Sequence, residues 1–251
     1  MNDPTTAIAD RVALITGGSA GLGRVLVHAL LADGWTVVTD ARRTSRLDEL
    51  AAALPQEQRG RLHAIPGDVT DPVHRMAIQD TLADLGRLDL LINNASALGP
   101  QDAYPSLAPL AETTEAQLAE VLTTNAIAPL VLSASLLPQL ERSGGVLISV
   151  SSDAGVEHYP TWGPYGASKA ALDHLTLTLG EENPAIRAYA VDPGDLRTEM
   201  HQAAFPGEDI GDRPEPESAV PGFLALIAQR PASGRYRAPE IVGATSEEET
   251  R

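Results

Sequence analysis

The sequence predicts an α/β chain: a doubly wound parallel sheet with helices on both faces. Three observations predict it. Short, continuously apolar runs alternate with segments of helical periodicity from Val12 to Val191, as expected of strands buried on both faces between crossover helices. A glycine-rich turn stands between the first apolar run and the first helical one. The polar residues that interrupt the pattern collect at or just after the ends of the apolar runs, where open α/β sheets place their ligands.

The elements follow in order. Arg11-Val-Ala-Leu-Ile-Thr16 supplies a strand over Val12–Thr16, which runs straight into Gly17-Gly-Ser-Ala-Gly-Leu-Gly23 and a helix over Val25–Ala32. Glycines without Cβ let backbone approach a phosphate group, and the following helix offers free N–H donors and the positive end of its dipole. Further strands are expected at Thr36–Thr39, Leu62–Ile65, Leu88–Asn93, Val146–Val150 and Arg187–Val191. Helices are expected over Leu47–Leu54, Val73–Leu85, Leu118–Leu140 and Tyr165–Leu179. Pro129 and Pro138 should bend or end the long run beginning at Leu118. The segment 195–217, rich in Pro, Gly and acids, reads as a loop, and Ser233-Gly-Arg-Tyr-Arg-Ala-Pro239 has room for a short last strand. Residues 1–10 read as a lead, 11–243 as a single domain, and 244–251 as an acidic, disordered tail.

Composition narrows the function. The formal charge of −16, from 18 basic and 34 acidic residues in 251, argues against a nucleic-acid partner. There is no cysteine, hence no disulfide and no thiolate chemistry. No run approaches about 20 uninterrupted apolar residues, and the polar first ten residues carry no secretory pattern; the cytoplasm is the expected compartment. No His/Asp/Glu group shows metal-ligand spacing, so no metal is expected.

Tyr165 and Lys169, in Gly163-Pro-Tyr-Gly-Ala-Ser-Lys169, are four apart in a helical stretch and share one face. Bringing a phenol from a pKa of about 10 to about 7 takes roughly 4 kcal/mol. A cation about 5 Å away at an effective dielectric of about 20 supplies on the order of 3 kcal/mol. The pair is therefore a candidate for acid–base chemistry beside a cofactor.

With these residues in place, the chain resembles the compact, single-domain branch of the short-chain dehydrogenase/reductase family. The glycine loop Thr16–Gly23, Asp68-Val69 after the third strand, Asn93-Asn-Ala-Ser96, Ser152 thirteen residues before Tyr165, and Asp192-Pro-Gly-Asp-Leu-Arg-Thr198 match its motifs in order. Ser96 stands where the family has glycine. The resemblance implies a Rossmann-type fold and hydride transfer between a nicotinamide cofactor and a carbonyl or secondary alcohol. It assigns Asn125, Ser152, Tyr165 and Lys169 to catalysis, with Lys169 lowering the tyrosine pKa and Asn125 holding a water that links Lys169 to solvent. It assigns Gly17, Ser19, Gly21, Leu22, Gly23, Asp68, Val69, Asn94, Ala95, Pro193, Gly194 and Thr198 to the cofactor, together with Tyr165 and Lys169.

The end of the second strand bears on which cofactor. The family's NAD-selecting aspartate falls on Ala41, whereas Asp40 is one residue early and, by strand alternation, points the other way. Arg42 and Arg43 follow, and arginine pairs with a 2′-phosphate, so NADP is expected, with NAD the alternative. His158, Tyr159, Trp162, Met200, His201 and Phe205 lie in segments that roof the substrate cleft in relatives, implying a medium-sized, partly apolar carbonyl compound. A dimer or tetramer is implied, although the family's closing Asp-Gly-Gly segment is absent. Two other readings exist. A non-catalytic cofactor-binding regulator would not need all four catalytic residues, and an epimerase of the extended branch needs more than the 53 residues that follow Thr198.

Overall fold

The structure, a computed structural model, describes residues 11–99 and 107–241. The lead and the acidic tail lie outside the described residues.

Among the described residues, seven strands form one parallel sheet: β1 (Val12–Ile15), β2 (Thr36–Ala41), β3 (Leu62–Pro66), β4 (Leu90–Asn93), β5 (Val146–Val150), β6 (Arg187–Asp192) and β7 (Gly234–Arg237), in the order β3-β2-β1-β4-β5-β6-β7. The helices are α1 (Gly21–Ala32), α2 (Thr44–Ala53), α3 (Gln56–Arg59), α4 (Pro72–Leu85), α5 (Glu115–Leu122), α6 (Ala128–Ser143), α7 (Gly163–Glu182), α8 (Glu199–Ala204) and α9 (Val220–Gln229). The order reverses between β1 and β4, and the crevice beyond the strand ends opens at that switch point.

Strand alternation splits the core into two layers. Ala13 and Ile15 of β1 pack with Leu26 and Leu30 of α1 and Phe223 of α9, while Val12 and Leu14 face Ile78 and Leu82 of α4 and Leu132 of α6. Each fully buried side chain of this kind contributes about 1.5–3 kcal/mol, and both faces of the sheet are covered. The strand ends are thereby held rigidly enough to carry a site.

The elements differ from the sequence reading in several places, α3 and α9 being helices that it did not include. β2 runs on to Ala41 because it stays in register with β3 as far as Pro66. The long run near Leu118 divides into α5 and α6 around a π-helical turn, Thr123–Ile127, with Pro129 in the first turn of α6. Pro138 lies inside α6, which continues to Ser143; Pro138 and Ala134, whose carbonyl it would otherwise serve, are both exposed, so that carbonyl can turn to water. In the segment read as loop, Thr198 starts α8 by accepting the His201 N–H at 3.1 Å. Among the described helical runs, Glu115–Ser143 alone has the length and apolarity of a membrane crossing, and Val121, Leu132, Leu136 and Leu140 of that run are buried in the fold.

Candidate active site

A cleft of about 690 Å³ opens along the ends of β1, β2, β4, β5 and β6. At its first end, Gly17 has φ +70° and an added Cβ would lie 2.9 Å from Ala95 Cα, so the loop can pass this close only as glycine. Ser19, Gly21, Leu22, Asp68, Val69, Asn94, Ala95, Pro193, Gly194 and Thr198 also line the cleft. Gly23 does not. It lies behind the loop, where a Cβ would come within 2.5 Å of the Gly17 carbonyl oxygen and 2.4 Å of Asn94 Nδ2; the residue is there for packing. Asn94 ties the loop down, donating from Nδ2 to the Thr16 and Gly17 carbonyls at 2.9 and 3.1 Å.

Asp40 is turned beneath the loop. Its Oδ1 accepts the Gly17 N–H at 2.7 Å and its Oδ2 lies 2.9 Å from His74 Nε2, both side chains being buried. The carboxylate beside the second strand is thus spent on the loop and His74, and Arg42, Arg43 and Arg46 line the neighbouring part of the cleft. Ala20, the N-cap of α1, provides no side-chain cap, and no acidic residue stands in the first turn. The leading N–H groups therefore face the cleft without a protein anion, as a pyrophosphate requires. Uncapped amides, close-approach glycine and arginines together fit a phosphorylated dinucleotide.

At the other end, α7 carries Tyr165 and Lys169, both buried. Lys169 Nζ lies 5.5 Å from the Tyr165 ring centroid and donates to the Val150 carbonyl at 2.8 Å. Burial pushes the lysine down to about 8, partly countered by Asp173. Burial raises the tyrosine well above its ordinary value, opposed by hydrogen bonds with the Ser152 and Ser96 hydroxyls and reinforced by Asp153 and Asp192. Desolvation of the phenolate is the largest influence on this phenol and favours its protonated form. Lys169 is also the sole lysine in the chain; the other 17 basic residues are arginines.

Ser152 stands just after β5, its Oγ accepting the Ala154 N–H at 3.2 Å and donating to Asp153 Oδ1 at 3.1 Å, and it lines the cleft with Tyr165. Asn125, in the π-helical turn, is fully buried and does not line the cleft. Its Oδ1 accepts Ser96 Oγ–H and Ala97 N–H at 3.1 and 2.7 Å, and its Nδ2 donates to Ala97 O and Ser168 Oγ at 2.8 and 2.9 Å. Those four bonds exhaust a carboxamide, so the Asn125 side chain has no capacity left for a water. The outer wall is aromatic: Trp162 packs edge-on to Tyr165 at 5.7 Å and against Phe205 at 6.0 Å, and His201 stacks on Phe205 at 4.9 Å. Leu98, Asp153, Trp162, Met200 and His201 are among the lining residues, whereas Phe205 stands behind them and His158 and Tyr159 are exposed and outside the lining.

A family model described as short chain dehydrogenase matches residues 11–209. The chain belongs to the short-chain dehydrogenase family. It is 30% identical over 223 residues to the uncharacterized oxidoreductase YciK of Escherichia coli, covering 87% of this chain and 86% of that one. It is 32% identical over 242 residues to the L-fucose dehydrogenase of Oryctolagus cuniculus, covering 95% and 78%. A short chain dehydrogenase of Escherichia coli CFT073, crystallised with NADPH, superimposes with a TM-score of 0.83 at 29% identity, covering 91% of this chain and 96% of that one. The protein is accordingly an oxidoreductase of the short-chain dehydrogenase type.

Within that family frame, four residues escaped the sequence reading. Ser96 was visible only as a departure from the glycine of its motif, yet its hydroxyl meets Tyr165. His74, 34 residues from Asp40, left no local signal. Arg235 and Asp173, described below, join elements 62 residues apart.

Proposed function

We propose that the protein is an NADP(H)-dependent oxidoreductase interconverting a carbonyl compound and a secondary alcohol, with Tyr165 as general acid and base. The observation that carries this reading is that Tyr165, Ser152 and buried Lys169 line one cleft with the glycine loop. A bound nicotinamide supplies or takes up the hydride. Tyr165, kept protonated by burial, gives its proton to the substrate oxygen in reduction. Ser152 turns its O–H from Asp153 Oδ1 to the same oxygen, where negative charge develops. Lys169 holds the cofactor ribose and balances the phenolate once the proton has gone. With the Asn125 amide committed, the main-chain carbonyls of the π-helical turn are the acceptors for a water that resupplies the proton.

Arg42 and Arg43 favour the 2′-phosphorylated cofactor, and the NADPH complex of the Escherichia coli relative supports that choice. The aromatic wall favours a medium-sized, partly apolar substrate. The reading includes a single domain over 11–243 and a cytoplasmic homo-oligomer that needs no metal. The test is oxidation of NADPH and of NADH with a panel of ketones, aldehydes, quinones and 3-oxoacyl thioesters. Turnover with NADPH well above that with NADH is the expected result. Faster turnover with NADH overturns the role given to Arg42 and Arg43, and tight cofactor binding without turnover of any carbonyl overturns the enzyme reading.

A further inference from the structure

Behind the Ser152–Tyr165 pair lies a set of charges that the steps above do not use. Ala190 of β6 is in register with Arg235 of β7, and the arginine reaches from there to two other elements. Its Nε donates to Asp173 Oδ2 on α7 at 3.1 Å and its Nη2 donates to the Ser152 carbonyl at 2.9 Å. Asp173 Oδ2 also accepts the Ser151 hydroxyl at 2.7 Å. Three consecutive residues at the end of β5 are therefore each tied to one charge: the Val150 carbonyl to Lys169, the Ser151 hydroxyl to Asp173 and the Ser152 carbonyl to Arg235.

We propose that Asp173 and Arg235 are positioning residues of the active site: Asp173 keeps Lys169 in its ammonium form, and Arg235 ties that carboxylate to the main chain that aims Ser152 at Tyr165. The proposal rests on the roles given to Ser152 and Lys169 above. The groups facing Lys169 are the Tyr165 ring and Asp173 on its own helix and the Val150 carbonyl of β5, while Arg235 on β7 reaches Asp173 and, at 3.7 Å, Asp192 at the end of β6. Asp173 is one helical turn from Lys169, and it is the charge that offsets the lysine's burial. Arg235 serves two acceptors at once, a carboxylate from Nε and a carbonyl from Nη2, through a rigid planar spacing of donors that a lysine ammonium does not reproduce. A buried ion pair is itself weak evidence of added stability, which leaves orientation and charge control as what this one supplies.

Because Lys169 is the sole lysine, protein labelled with ¹³C,¹⁵N-lysine gives one side-chain resonance, and its titration is read without cofactor or turnover. In Asp173→Asn the midpoint should fall by about one pH unit, whereas Asp173→Glu should restore it. Arg235→Met should lower kcat about tenfold with the KM for NADPH unchanged, and Arg235→Lys should not rescue it. An unmoved lysine midpoint in Asp173→Asn overturns the proposal. So does an Arg235→Met defect that only tracks loss of folded protein in a thermal melt. A lowered midpoint in a protein that turns over no carbonyl would leave the charge control standing and sink the enzyme reading instead.

Discussion

At the β2 end of the cleft the charges stand near water: Arg42 and Arg43 are exposed, and Arg46, half-buried, meets Glu199 of α8 at 2.9 Å. At the β5 end they are sealed in: Tyr165 and Lys169 are 7% and 2% exposed, and Asp173 is 7% exposed. Guanidinium groups in water keep a fixed charge and act through a field that salt screens. Buried phenol, ammonium and carboxyl have charge states that their surroundings decide. One end is built to attract an anion, and the other to hold a proton in place until it is needed.

The largest way to sharpen that contrast is Tyr165→Phe. Turnover should fall by about 10³-fold or more while NADPH affinity, followed by fluorescence titration, stays within about twofold; an active variant would mean another group supplies the proton. Next is Asp40→Ala, which leaves the Gly17 N–H and His74 buried without their shared partner. Urea unfolding should report a loss of about 2–4 kcal/mol, and an unchanged midpoint would make the pair incidental.

Lys169 titrates near 8 in the folded protein against 10.5 for the ordinary side chain. Between those values the unfolded chain binds more protons, so this group makes stability rise with pH through the window and contributes nothing to the slope below about 8. Tyr165, raised from 10.0, adds its opposite slope only above that value. The stability gap between wild type and Lys169→Met should therefore change by roughly 2 kcal/mol from pH 8 to 10, read by urea unfolding at each pH; parallel curves would show that the lysine is not desolvated.

At the exposed end the effects shrink. Removing Arg42 and Arg43 together should weaken NADPH binding about tenfold at low salt, spare NADH, and matter less as salt rises; equal losses for both cofactors would take the arginines away from the 2′-phosphate. Smallest of all, Glu199→Gln should cost under about 0.5 kcal/mol in a melt, as an exposed pair does.

Much of this was legible in the chain, unevenly. The first six strands and the glycine loop stand within two residues of where periodicity puts them, because each strand writes its burial on both faces into a run of apolar side chains. Asp40's inward turn followed from alternation along β2. The π-helical turn at Asn125 was invisible because an apolar helical pattern continues through it. At Gly23 the motif says that a glycine is needed, and only packing shows the Gly17 carbonyl and Asn94 that crowd it.

The order of elements, the identity of the candidate acid, base and hydroxyl, and the absence of other lysines are properties of the one-dimensional chain, set by spacing and side-chain type. Which groups are charged was decided only when the chain folded. Desolvation and Coulomb energies depend on distances between residues far apart in sequence: His74 under Asp40, Ser96 against Tyr165, and Arg235 joining Asp173 to Ser152. Those distances exist only in the packed sheet.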